Sequence, residues 1–187
     1  MLLVVDNGSV YTNSIIDCLK EIKIDYKHVL FDKITESDIE NSSSIILSGR
    51  RKNDAMMNAI NSKLIRYALA KKKPLLGICY GAEILAITLG GTIRKMITPR
   101  HGMYEACVSR NNPLCRGNLQ VFESHSYKVA TLDSRFDGIA NSDACQFEIF
   151  QYGSQNIFGT QFHPEMSSDG KTLLKNFTNF GEKVHTI

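Results

Sequence analysis

Several quick assignments are closed to this 187-residue chain by what it lacks. Its five cysteines, at positions 18, 79, 107, 115 and 145, form no CxxC pair and are odd in number. The opening "MLLVVDNG" has only a short apolar run after Met1, too little for a secretory signal. Both features argue against a disulfide framework and for free thiols in a reducing, cytoplasmic compartment. No apolar stretch approaches the roughly 20 residues needed to span a bilayer, so no membrane partner is expected. The five histidines show neither HExxH nor HxxxH spacing, and no metal site is expected. There is no G-x-x-x-x-G-K-[ST] loop to cradle nucleotide phosphates. Charge of one sign is also scarce. Lys and Arg number 22 against 19 Asp and Glu, a net +3, and the basic residues are scattered apart from "GRRK" and "KKK". Nucleic acid is therefore not an expected partner. Lys71 to Lys73 read as a solvated helix end, where cations oppose the carbonyl end of the dipole.

What is present is an ordinary folded composition, 43% hydrophobic and 22% charged, on a length that suits one domain over residues 1–187. The first half alternates strand and helix signals. "LLVVD" ends at the turn signal Asp6-Asn7-Gly8, and "YTNSIIDCLKEI" follows with Ile15, Ile16, Leu19 and Ile22 at helical spacing. "YKHVLF" and "SIILSG" read as strands, and Asp54 to Lys72 as a helix with Met57, Ile60, Leu64, Ile65, Ala68 and Leu69 on one face. "PLLGIC" is a fourth strand, and "AEILAITLGG" a helix stopped by a glycine pair. Near-continuous apolar strands separated by helices predict a parallel sheet covered on both faces. After Gly91 the segments "TIRKMI", "YEACVS", "LQVFES", "GIANS", "CQFEIF" and "NIFGTQF" are short and β-like, which fits an antiparallel extension of that sheet. Leu173, Leu174, Phe177 and Phe180 make "DGKTLLKNFTNFGEK" an amphipathic closing helix.

One segment carries chemistry. "GICYG", Gly77 to Gly81, sets Cys79 at a strand–turn–helix junction with the spacing of a G-x-S-x-G nucleophile elbow. The glycines permit the sharp turn, and the helix N-terminus beside Cys79 is expected to favour the thiolate. A buried structural cysteine fits the same five residues, so the reading needs a base. "TQFHPE" supplies one. An extended backbone puts His163 and Glu165 on the same side, and Pro164 disfavours a helical His163. Glu165 can then orient the imidazole while its other nitrogen faces a thiol. Of the other histidines, His28 and His185 read as surface residues, His125 as packed within "ESHSYKV", and His101 as without obvious local chemistry.

The pair of motifs resembles the class I glutamine amidotransferases, with G-x-C-x-G near mid-chain and F-H-P-E near the end. The resemblance covers nearly the whole chain. It implies a flavodoxin-like, three-layer α/β fold with a mostly parallel central sheet and an antiparallel extension. It further implies Cys79 as nucleophile, His163 as general base and then acid, and Glu165 as orienter, with glutamine as substrate. Within the family the chain looks most like the amidotransferase part of GMP synthases, through "VVDNGSVYTNSI", "IILSG", "GICYG" and "ESHSYKV". By that resemblance Gly49, Glu83, Ser124 and Ser126 are glutamine-pocket residues, and the backbone amides of Tyr80 and Arg50 form the oxyanion hole.

Four positions depart from the pattern: Arg50 with Arg51 in place of Gly-Pro, Glu83 in place of Gln, Tyr127 in place of Asp, and Val10 in place of Gln. Arginine keeps the backbone donor unless the site needs a positive φ. The S-G-G-x-D-S loop that binds ATP in complete GMP synthases does not occur here. The resemblance therefore implies that the partner is a separate ATP-dependent, XMP-aminating synthetase subunit. ATP and Mg would be held there, with no cofactor on this chain. Arg50, Arg51, Lys52, Arg100 and Tyr127 are then rim candidates for docking. Two alternatives stay open: the amidotransferase subunit of anthranilate or aminodeoxychorismate synthase, and a degenerate regulatory subunit on the same fold, motivated by Arg50 and Glu83.

Overall fold

The computed structural model describes residues 1–182; Lys183 and His185, read above as helix end and surface residue, lie outside the described residues. In chain order the elements are β1 (Leu2–Asn7), α1 (Thr12–Glu21), β2 (Tyr26–Leu30), α2 (Glu36–Asn41), β3 (Ser44–Arg50), α3 (Ala55–Lys71), β4 (Leu75–Ile78), α4 (Tyr80–Thr88), β5 (Thr92–Val108), β6 (Asn118–Thr131), β7 (Phe136–Asn141), β8 (Ile149–Tyr152), β9 (Ile157–Thr160) and α5 (Ser168–Glu182), with 3-10 turns at Phe31–Lys33 and Pro164–Met166.

The strands form one sheet in the order β2-β1-β3-β4-β9-β8-β7-β5-β6. The first five in that order pair in parallel, and the pairings from β9 through β8, β7 and β5 to β6 are antiparallel. This is the doubly wound sheet with an antiparallel extension that the sequence predicts. The parallel strands are apolar on both sides because both faces are covered. Leu2 and Val4 pack with Ile15 and Leu19 of α1 and Leu173 and Phe177 of α5, while Leu3 and Val5 pack with Leu64 and Ile65 of α3 and Leu85 of α4.

Three details differ from the sequence reading. "TIRKMI" and "YEACVS" are two arms of the single strand β5, and "LQVFES" and "HSYKV" are parts of β6. The β5–β6 register breaks between Lys95 and Arg100, where Lys95 faces Tyr127 and Arg100 faces His125. Pro99 stands in that bulge and has no N–H to give a ladder. Secondly, α2 carries too few apolar residues for a periodic signal and is fixed by its cap. Thr35 Oγ1 accepts from Asp38 N–H at 3.2 Å, and Asp38 Oδ2 accepts from Thr35 N–H at 3.0 Å. Thirdly, Lys73 is not a solvated helix end. Its Nζ donates to Ile39 O at 2.5 Å, Glu40 O at 3.3 Å and Ser42 Oγ at 3.2 Å, so it caps the C-terminal carbonyls of α2.

The order reverses between β1 and β3, since the chain leaves β1 for β2 on one side and returns to β3 on the other. In open sheets of this kind ligands bind outside the C-terminal strand ends near that point. The ends of β1, β3, β4 and β9 bring Asn7, Gly49 and Arg50, Cys79, and His163 to that edge.

Candidate active site

Cys79 follows β4 directly and caps α4, with φ 51° and ψ −104°. A side chain at such a φ costs on the order of 1–3 kcal/mol, strain typical of a nucleophile held at a sharp turn. Both flanking glycines are steric requirements. A Cβ on Gly77 would stand 2.4 Å from the Gly81 carbonyl, and one on Gly81 would stand 2.3 Å from Leu47 O. The turn is pinned by Cys79 N–H donating to Thr160 O at 2.7 Å and by Glu83 N–H donating to Cys79 O at 3.0 Å.

The surroundings of this thiol oppose the thiolate that its place at a helix N-terminus favours. Burial, then the carboxylates of Glu83 and Glu165, push its pKa well above the usual thiol range. The Tyr80 amide and the Arg50 guanidinium pull the other way without cancelling them. These surroundings favour the thiol over the thiolate, so nucleophilic attack by Cys79 calls for a base.

The candidate base lies just past the neighbouring strand. Ile78 pairs with Thr160 of β9, and three residues later His163 is held extended by donating its N–H to Phe122 O at 2.8 Å. Its Nδ1 lies 2.8 Å from Glu165 Oε1, and both side chains are buried. A proton on Nδ1 donated to the carboxylate leaves the Nε2 lone pair as the base. Tyr11 packs on the imidazole with ring centroids 4.5 Å apart. Gly49 leaves it room, since a Cβ there would lie 3.1 Å from His163 Cε1 and 3.2 Å from Ser9 Oγ.

Arg50 sits at a negative φ: outside glycine, positive φ occurs among the described residues at Lys23, Lys72 and Cys79. The backbone therefore accepts a side chain where the resemblance has glycine. Its guanidinium lies 4.1 Å over the Tyr80 ring, and Nη1 donates to Asn53 Oδ1 and, at 3.3 Å, to Asn58 Oδ1. Tyr80 Oη donates to the same Asn58 oxygen at 2.8 Å. Beside this cluster opens a cavity of about 570 Å³ whose lining includes Arg50, Tyr80, Glu83, Ile87 and Tyr127.

Of the predicted pocket residues, Glu83 lines that cavity, whereas Gly49, Ser124 and Ser126 do not. Ser124 Oγ instead accepts from Tyr11 Oη at 3.2 Å and lies 3.3 Å from His101 Nδ1, so it steadies the aromatic ring on His163. Ser126 is exposed on β6. Arg100, a rim candidate above, is buried instead. It pairs with Glu123 at 3.1 Å and with Asp143, in a cluster where Glu123 also lies 3.2 Å from His125 Nε2.

Sequence reasoning passed over Tyr11, Asn58 and Gln161. Gln161 links the pocket floor to the sheet, donating to Glu83 Oε1 at 3.5 Å and accepting from Val129 N–H at 3.0 Å. Tyr11 and Gln161 lie inside the quoted motifs and could have been found there; Asn58 had no signal. A second cleft, of about 380 Å³ between the first 3-10 turn and α3, is lined by Phe31, Ile34, Ile60 and Tyr67, and neither Cys79 nor His163 is in the lining of either cavity. Among the described residues no group of three or more His, Cys, Asp or Glu side chains could hold a metal ion, and no helix is long and apolar enough to cross a membrane.

A strained cysteine at the end of β4 and a histidine–glutamate pair just past the adjacent strand β9 thus share the carboxyl edge of one doubly wound sheet. The family profile "Glutamine amidotransferase class-I" matches residues 3–180, and the chain belongs to that family. It is 30% identical over 185 residues to the glutamine-hydrolysing subunit of GMP synthase from Methanocaldococcus jannaschii, covering 95% of each chain. It is also 30% identical over 183 residues to the GMP synthase of Ruminiclostridium cellulolyticum, covering 95% of this chain and 35% of that protein. A crystal structure of a candidate GMP synthase subunit from Thermoplasma acidophilum superposes with a TM-score of 0.87 at 28% identity, covering 98% of this chain and 94% of the other.

Proposed function

We propose that residues 1–187 are a single amidotransferase domain that acts in the cytoplasm, as the glutaminase subunit of a two-chain GMP synthase. The observation that carries this is the 2.8 Å His163–Glu165 pair just past β9, the strand paired with the β4 that ends at a cysteine held at φ 51°. End-to-end similarity to a separate glutamine-hydrolysing subunit, and to about a third of a longer GMP synthase, supports the two-chain reading.

In the proposed mechanism Cys79 Sγ attacks Cδ of the glutamine carboxamide as His163 Nε2 takes the thiol proton. Negative charge gathers on the former carbonyl oxygen, where the Tyr80 and Arg50 amides donate; one such donor is worth roughly 10²–10³ in rate. Collapse breaks the C–N bond, His163 returns its proton to nitrogen, and ammonia leaves a thioester on Cys79. Water then attacks the thioester with His163 again as base, giving glutamate and the free thiol. Glu165 stabilises the imidazolium in both halves. The partner synthetase, holding ATP and Mg, activates XMP and accepts the ammonia.

The test is glutamine-dependent GMP formation from XMP and ATP, with the same organism's separate synthetase and with Cys79→Ala as control. Product that depends on Cys79 is expected. Its absence, while free ammonia still supports the synthetase, would refute the assignment. Burial of the thiol, with the carboxylates of Glu83 and Glu165 adding to it, raises the Cys79 pKa and favours one second reading, a degenerate regulatory subunit, which predicts no Cys79-dependent product even in the complex.

A further inference from the structure

The bond from His163 Nδ1 to Glu165 ties one atom of the imidazole, and the ring torsion of a histidine is soft, so the ring needs a second restraint to hold one orientation. Tyr11 supplies it, packed on the ring with centroids 4.5 Å and planes 56° apart. Tyr11 is fixed at both ends. Its backbone is the N-cap of α1, where its carbonyl accepts from Ser14 N–H at 3.0 Å and its N–H donates to Ser9 Oγ at 3.1 Å. Its hydroxyl donates to Ser124 Oγ at 3.2 Å, across 113 residues of sequence, and its ring meets Phe122 edge-on at 5.7 Å. Phe122 and Ser124 are two apart on β6 and so share one face of the β5–β6 ribbon. Phe122 O also takes the His163 N–H at 2.8 Å. The outermost strand of the sheet therefore grips the histidine twice, at its backbone directly and at its ring through Tyr11.

Resting on the glutaminase reading above, we propose that Tyr11 is a positioning residue for the base and that Ser124 acts through it. The Tyr11 ring confines the His163 imidazole to the orientation that bonds Glu165 and leaves Nε2 free, and the hydroxyl bond to Ser124 sets the ring. Ser124 then serves the base rather than the glutamine pocket that the resemblance gives it. The two parts of the tyrosine have separate tasks. Tyr11→Leu removes the flat wall against the imidazole, whereas Tyr11→Phe keeps the wall and loses its anchor. Ser124→Ala breaks that same anchor from the other end.

The experiment joins ring spectroscopy to kinetics. Proton–nitrogen spectra of ring-labelled histidine are taken at alkaline pH, where the imidazole is neutral, with His163 identified by its loss in His163→Asn. The parent and Tyr11→Phe should show one His163 tautomer, protonated at Nδ1, and Tyr11→Leu should show broadened or averaged signals. In steady-state glutaminase kinetics of the reconstituted complex, Tyr11→Leu should lose about 10- to 100-fold in kcat with KM for glutamine little changed, the cost of a small displacement of a reacting group. Tyr11→Phe and Ser124→Ala should each lose about 2- to 10-fold in kcat, the range for one neutral hydrogen bond, and the double variant no more than either alone. If Tyr11→Leu does not fold, that cycle decides, and additive losses overturn the proposal. A Ser124→Ala loss confined to KM would overturn it too, returning Ser124 to the glutamine pocket. If Tyr11→Leu keeps both its kcat and a single tautomer, this inference falls and the glutaminase reading stands. If the parent complex has no Cys79-dependent glutaminase activity, both fall.

Discussion

Glu165 Oε1 meets His163 Nδ1 at 2.8 Å, with one proline between them in sequence and the second oxygen of Glu165 buried without a partner among the described residues. An extended His163 followed by a 3-10 turn closes that short reach, and Pro164 favours it by disfavouring the α region at the residue before it. Glu165→Gln keeps the shape but removes the charge that stabilises the imidazolium, and one amide orientation imposes the wrong tautomer. The expected outcome is a loss of about 10²- to 10⁴-fold in kcat with KM for glutamine little changed. Steady-state glutaminase kinetics of the reconstituted complex decide it. A loss confined to KM would move Glu165 from orienter to pocket wall.

The raised thiol pKa has a separate consequence. Glu83 is its second cause after burial, so Glu83→Gln should shift the pH curve of Cys79 alkylation to lower pH. The shift should appear where Glu83 is ionised, because its own carboxyl is raised by burial. The described cysteines are all free thiols, so iodoacetamide labelling must be read by peptide mass spectrometry at Cys79. An unmoved curve would show that Glu83 carries no charge beside the thiol.

The parallel half of the sheet was legible because burial on both faces leaves apolar runs such as "LLVV", and the elbow because Gly77 and Gly81 flank a nucleophile. The long β5–β6 pair was not, since exposed alternation and the bulge at Pro99 break its pattern into apparent short strands. α2 was invisible for want of periodicity, although Thr35 and Asp38 spell its cap. The raised thiol pKa was not legible because its first cause is burial, which the packed sheet and helices supply together, and because Glu165 reaches Cys79 only through β4–β9 pairing. Arg100 looked like a rim cation because its partners Glu123 and Asp143 come from other segments.

Gly81 and Gly49 should separate stability from activity. Gly81→Ala drives a Cβ to 2.3 Å from the Leu47 carbonyl, which is backbone and cannot turn aside. A loss of about 3 kcal/mol or more is expected, seen as a lowered Tm or insoluble protein. Gly49→Ala meets His163 Cε1 at 3.1 Å, a side chain that can yield by a few tenths of an ångström. That variant should keep its Tm within a few degrees and lose roughly 10-fold or more in kcat, because small displacements of a reacting group are expensive. Equal damage to Tm and kcat in both variants would sink the distinction.

The last prediction concerns a buried carboxylate away from the triad. Glu148 is fully buried, has Oε2 without a partner, and is pushed up to about 7 from an ordinary 4.5, by burial first and by Glu123 second. Between those values the native protein keeps a proton that the unfolded chain has lost. Stability therefore falls as pH rises from about 4.5 through about 7, and the whole penalty is present above that. Glu148→Gln removes the charge and keeps an acceptor for Ser142 Oγ, now at 2.7 Å from Oε1. The variant should unfold at a higher temperature than the parent at pH 8, by about 1 kcal/mol or more, and the gap should narrow toward pH 5. Thermal unfolding across that range checks it. A gap that stays constant with pH, or widens toward pH 5, would show that the Glu148 carboxyl is not raised in the native protein.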